Sequence, residues 1–261
     1  MLIQFGRSCC LSPEVRKVVL AAFFSLALNL SVTAQSPAPD SSVLLSRASQ
    51  AFTAGKPVTS VEMSGRAEWT AGSTKDNGLA KLIANINGEN KAEFDMSKGT
   101  RIESQSAFAK DRTCTWSGKD GVTHDVASSN CWTAAIWFLP HLAIQGAGLP
   151  PALNVQSVDG NHIRHQVTFP DSADPSSSRS KAYALIQEWS RTDLTLDSET
   201  ALPSSLKYMI HPDNNSSVNI QVEVRYSNYQ KVSDVELPMH IERYVNGALQ
   251  LSIDITSAII N

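Results

Sequence analysis

From Ser60 onward apolar and polar residues alternate. Val61, Met63, Ala67 and Trp69 fall in one phase and Glu62, Ser64, Arg66 and Glu68 in the other, the two-residue period of a strand with one dry and one wet face. The same period returns in Leu79–Ile86 and Glu89–Met96, which flank Asn87-Gly88, and in Leu237–Tyr244 and Ala248–Ile260, which flank Asn246-Gly247. Asn-Gly between alternating runs is a strong short-range hairpin signal. In the first hairpin a three-residue loop ending at Gly88 brings Leu82 opposite Ala92, Ala80 opposite Phe94 and Lys81 opposite Glu93. A two-residue turn would set Lys81 against Phe94, so matching of faces selects the longer loop. The same reasoning at the second hairpin predicts Ile241 opposite Leu251, Met239 opposite Ile253, Leu237 opposite Ile255, Glu242 opposite Gln250 and His240 opposite Ser252.

Further strands are predicted at Thr100–Gln105, Thr113–Ser117, Val122–Val126, Val155–Asp159, Ile163–Phe169, Leu194–Leu196, Leu206–His211 and Val218–Tyr226. Three segments carry helical spacing instead. Leu45, Ala48 and Phe52 form a stripe that Ser42 can cap and Gly55-Lys56-Pro57 stops. Cys131–Ile144 is apolar nearly all round, with Trp132, Ile136, Leu139 and Ala143 in helical phase and Pro140 ending or kinking it. After a loop-like stretch, Pro170–Ser180, a short helix over Lys181–Ser190 carries Tyr183, Leu185, Ile186 and Trp189. The expected architecture is mainly β (α+β): a long antiparallel meander forming a curved half-barrel sheet, with the N-terminal helix and the mid-chain helices packed on its concave face.

The first residues belong to a different class. Arg7, Arg16 and Lys17 precede an apolar run, Val18–Leu30, and small residues ending at Ala34 follow it. That is the layout of a cleavable secretory signal, and the run is short for a membrane span. The expected organisation is a signal peptide over 1–34, a flexible Pro/Ser-rich leader over 35–42 and a single domain over 43–261, in the periplasm or outside the cell, with no stable membrane span after cleavage.

The chain carries a net charge of −3, and losing the signal with its three basic residues and Glu14 makes it more acidic. No basic stripe exists, which argues against nucleic acid as a partner. Cys9 and Cys10 would leave with the signal. The remaining pair, Cys114 and Cys131, is expected to form a disulfide in an oxidising compartment.

Chemistry-bearing motifs are sparse. Of the six histidines, His162 and His165 are three apart on a strand and point to opposite faces, and His211 and His240 are expected to be solvated, so no metal site is predicted. No G-x-S-x-G elbow exists, and the S-x-x-K matches at Ser178 and Ser204 lack companion motifs. No catalytic residue and no cofactor is assigned. The richest patch runs from Trp116 to His124, then Asn130-Cys131-Trp132, then Trp137-Phe138. The disulfide would draw its halves together, making Trp116, His124, Asn130, Trp132, Trp137 and Phe138 the candidate ligand-binding residues. Alternatively, these aromatics fill core beneath the disulfide.

Leu196-Asp197-Ser198-Glu199-Thr200-Ala201-Leu202-Pro203, and Tyr226-Ser227-Asn228-Tyr229 through Val235-Glu236-Leu237-Pro238-Met239-His240-Ile241, resemble the closing strands of the lipoprotein-carrier superfamily of bacterial periplasmic proteins (LolA/LppX-like). Gly65–Gly72 and Asn130-Cys131-Trp132 are similar to segments of uncharacterised secreted bacterial proteins. The resemblance implies a concave half-barrel, helices plugging its open side and an apolar cavity accepting acyl chains, with no catalytic residues to carry over. The Cys114–Cys131 pair is not a general feature of that superfamily. The function expected is that of a periplasmic binding protein holding an apolar or lipid-like ligand between sheet and helices. The alternatives are a non-enzymatic envelope scaffold or interaction protein with a packed core, and a hydrolase using His124.

Overall fold

The computed structural model describes residues 40–106, 113–132, 137–140, 142, 153–169 and 176–261. The expected signal, most of the leader, much of the expected 131–144 helix and part of the 170–180 loop lie outside the described residues.

Helix α1 (Ser41–Thr53) opens on Asp40, whose side chain accepts from the Ser42 N–H, and closes at Ala54 in the left-handed region. The cap is therefore Asp40 rather than Ser42, and the last residues assigned to the leader are already helical; a carboxylate one position earlier reaches the orphan amides of the first turn. Leu44, Ala48 and Phe52 form the buried stripe.

Thirteen antiparallel strands follow: β1 (Ser60–Ala71), β2 (Thr74–Asn85), β3 (Asn90–Met96), β4 (Gly99–Gln105), β5 (Cys114–Ser117) and β6 (Thr123–Asp125), then β7 (Leu153–Ser157), β8 (His162–Val167), β9 (Thr192–Leu196), β10 (Pro203–Ile210), β11 (Ile220–Val232), β12 (Val235–Val245) and β13 (Ala248–Ile260). A short helix α2 (Ser128–Cys131) follows β6, and α3 (Ser178–Trp189) sits between β8 and β9. The strands form one curved, unclosed sheet in the order β6-β5-β4-β3-β2-β1-β13-β12-β11-β10-β9-β8-β7. The chain thus winds from the centre to one edge, crosses to the opposite edge, and winds back until β13 pairs with β1. Among the described residues between β6 and β7, Asn130 bonds His211 after β10, Tyr226 of β11 bonds Trp137, and Phe138, Leu139 and Leu142 join the core.

The β2–β3 register is the one face matching selects, with Leu82 opposite Ala92, Ala80 opposite Phe94 and Lys81 opposite Glu93. The β12–β13 register departs from expectation by two residues: Ile241 faces Ile253, Glu242 faces Ser252 and His240 faces Asp254. Asn246 and Gly247 both have positive φ, and Val245 pairs directly with Ala248, a two-residue turn. The register then shifts between Arg243 and Tyr244, so that a bulge takes up one residue of β13. A shift of two keeps every side chain on its expected face, which is why burial patterning alone could not detect it. Where β1 meets β13 the register also shifts, at Ser64/Gly65. A Cβ on Gly65 would lie 2.1 Å from the Asp254 carbonyl oxygen, so the bulge depends on glycine.

The core lies on the face that α1 covers. Phe52, Met63, Leu82, Phe94, Leu237 and Ile253 are fully buried there, together with Phe138 and Leu139 of the crossing segment. Helix α3 packs on β8 and α2 yet buries none of its residues. Its Tyr183 stacks on Phe169, with centroids 4.2 Å apart, while Leu185 is exposed.

Candidate ligand-binding site

The core face changes character towards the β4–β5 edge. Strand pairing sets Arg101 beside Phe94, Glu103 beside Ala92 and Gln105 beside Asn90, so the polar residues of β4 occupy the phase that carries core in β3. Trp116 pairs with Glu103 from the other side. On β12, Arg243 follows Leu237, Met239 and Ile241 in the buried phase, flanked by Val224 on β11 and Leu251 on β13. Arg101, Glu103, Gln105, Trp116 and Arg243, together with Trp69, Trp137 and Tyr208, line a cleft of about 520 Å3.

The segment bearing Trp137 is held over this face by specific bonds. Cys114 and Cys131 form the expected disulfide, with Cα atoms 5.4 Å apart. Beside it, Gln105 donates to the Cys131 carbonyl at 2.8 Å while accepting from Asn90 Nδ2. Asn130 Nδ2 donates to the His211 carbonyl and Asn130 Oδ1 accepts from the His211 N–H, both at 2.7 Å. Tyr226 donates its hydroxyl proton to the Trp137 carbonyl. These contacts link β4, β5, β11 and the end of β10 to the described residues between β6 and β7.

Of the six candidate residues, the fold gathers Trp116, Asn130 and Trp137 at the cleft. His124 lies outside the lining, stacked on Trp116 at 4.4 Å, and its Nε2 is 3.8 Å from an exposed Asp120 carboxylate, beyond hydrogen-bond reach. Trp132 turns towards Phe169. Phe138 is completely buried in the core, edge-on to Trp137. Asn130 is present at the lining, but its amide is engaged with the His211 backbone. His211 itself is buried rather than solvated, because α2 and Trp189 come over the end of β10; its Nδ1 meets the Val218 carbonyl at 3.1 Å, and its Nε2 has no hydrogen-bond partner among the described residues.

The residues missed by sequence reasoning are the charged ones. Arg101 Nε donates to Glu103 Oε1 at 2.7 Å. The Arg243 guanidinium lies between two indoles, 4.8 Å from the Trp137 centroid and 5.3 Å from that of Trp69, and approaches Glu103 only to 3.6 Å. Arg101 also sits over Trp116 and Trp69. Burial pushes the Glu103 carboxyl up, but the charges of Arg243 and Arg101 outweigh it and hold the group below the usual carboxylate range. Burial, only partly offset by Arg243, drives the Tyr208 hydroxyl well above its ordinary value, so it stays protonated. The sequence signal for this site was an arginine in the apolar phase of β12, together with a strand whose inward phase reads Arg-x-Glu-x-Gln.

No protein-family model matches the chain, and no curated protein does. Among solved structures, the chain is similar to a LolA superfamily protein of Nitrosomonas europaea, at 12% identity over 86% of this chain and 94% of that one, with a TM-score of 0.47. It is also similar to a putative outer membrane lipoprotein-sorting protein domain of Vibrio parahaemolyticus, at 7% identity over 85% and 92%, with a TM-score of 0.49. A DUF1329 family protein of Desulfovibrio piger is 12% identical over 85% and 92%, with a TM-score of 0.47. These likenesses concern the fold alone.

Proposed function

We propose that this protein is an exported binding protein that holds an apolar or lipid-like ligand in the cleft on the core face of its sheet. One observation carries the reading. The sheet does not fill its own concavity: beside a packed core it leaves about 520 Å3 lined by Trp69, Trp116, Trp137 and Tyr208 together with Arg101, Glu103, Gln105 and Arg243, a volume in the range of small-molecule sites. The secretory-type N-terminus and the disulfide support an oxidising compartment.

The test is native mass spectrometry on the mature chain purified from the periplasm, before and after organic extraction, with lipidomics on the extract. A bound lipid at defined stoichiometry is the expected result. A chain that emerges empty and also refuses added fatty acids and phospholipids would overturn the proposal and leave a scaffold role in its place.

A further inference from the structure

Building on the reading of the cleft as a ligand site, we infer that the ligand is an amphiphile with an anionic head, a carboxylate or phosphate, and that Arg243 receives it. The argument begins with charge balance among the side chains lining the cleft. Two guanidiniums, Arg101 and Arg243, face one enclosed carboxylate, Glu103. Glu103 accepts a hydrogen bond from Arg101, whereas Arg243 reaches it only as an ion pair at 3.6 Å, too long for such a bond. The other acidic residue of the lining, Asp213, is exposed on the loop after β10, where water screens it.

Arg243 is nevertheless 8% exposed. Its Nε–H is buried without a hydrogen-bond partner among the described residues, and its lateral neighbours, Val224 and Leu251, are apolar. A guanidinium is a rigid fork of five donors suited to carboxylate and phosphate oxygens. Placed over the Trp69 and Trp137 rings, it is held in position while its Nε–H stays unused. The indoles provide apolar surface next to this fork, so a head on Arg243 leaves the attached chain against Trp69 and Trp137.

Calorimetric titration of the mature protein with four ten-carbon probes tests this: decanoate, decyl phosphate, decanol and decyltrimethylammonium, with inorganic phosphate as a chainless control. Both anions are expected to bind about tenfold or more tightly than decanol, as charge-assisted bonds permit. Arg243→Met should erase the preference, so that this variant binds decanoate no more tightly than it binds decanol. Glu103→Gln, which removes the competing carboxylate, should strengthen both anions. Equal binding of decanol and decanoate, or a preference that survives in Arg243→Met, would overturn the inference while leaving the apolar cleft standing. Inorganic phosphate binding as tightly as decyl phosphate would overturn the amphiphile and assign the arginine to a free anion. Refusal of every probe would overturn the cleft reading itself.

Discussion

The two ends of one sheet face make the most instructive comparison in this protein. In the packed part of the core face the inward phase of β1, β2, β3 and β13 reads Val61, Met63, Leu82, Phe94, Ile253 and Ile255, and it is nearly water-free. A few residues further along the same rows, the inward phase becomes Arg101, Glu103, Gln105, Trp116 and Arg243, and the space above it remains open. Backbone geometry and pairing are alike in both regions. What differs is the side chains and how completely the overlying segments cover them: large polar and aromatic groups cannot interdigitate to crystal-like density without leaving donors unpaired. A half-barrel can thus hold a folding core and a ligand cleft on one continuous face.

Mutations that erase the difference should have unequal costs. Phe94→Ala, at the packed end, should destabilise the fold by about 3–5 kcal/mol, through lost transfer energy and a residual cavity, as read from urea or guanidinium unfolding. Replacing Cys114 and Cys131 by serine together should cost about 3 kcal/mol, given a separation of 17 residues. It should also raise amide exchange in β5 and α2 more than in β1 or β13, since the bridge ties down the cleft rim and not the core.

A pH series probes the boundary between the two regions. His165 lies on the row that runs through Thr192, Tyr208 and Val222 to Val245, with its Nε2 against the Thr192 hydroxyl. Burial pushes its imidazole down from 6.5 to about 4, partly opposed by Asp193. Below pH 6.5 the unfolded chain takes up a proton that the folded one refuses. Stability should therefore fall by about 2–3 kcal/mol as the pH drops from 6.5 to 4, and His165→Asn should flatten that interval. The depressed Glu103 carboxyl acts in a separate, lower window: its contribution is complete above the ordinary carboxylate value and disappears as the pH falls through its lowered one. Urea midpoints measured at closely spaced pH values in both proteins separate the two. The smallest effect should come from Trp116→Ala. At the open end, where the indole is only half-buried, the loss in unfolding free energy should be about 1 kcal/mol or less, well below that of Phe94→Ala. A comparable loss at both sites would erase the distinction between core and cleft.

The strands and turns were legible because they are local. Alternation located β1 to within its ends, and Asn87-Gly88 with its flanking faces set the β2–β3 register. The second hairpin escaped by two residues because its bulge preserves every face, so the side-chain pattern was blind to it. The candidate site was legible in part: Trp116 and Trp137 reach the cleft, while Phe138, one residue from Trp137, faces into the core. Arg243 was visible as a charge in an apolar phase, and its meaning required the indoles of Trp69 and Trp137, more than 100 residues away in the chain.

By itself, then, the sequence determined the mainly β character, the alternation that separates a dry face from a wet one, and the disulfide pair, all of which follow from periodicity or from residue chemistry at short range. Only the tertiary structure decided that β13 returns to pair with β1, that β6 and β7 stand at opposite edges of the sheet, and that Glu103 meets two arginines from different strands. Those outcomes depend on long-range register and on the volume left between packed elements, and both are properties of the assembled sheet rather than of any one segment.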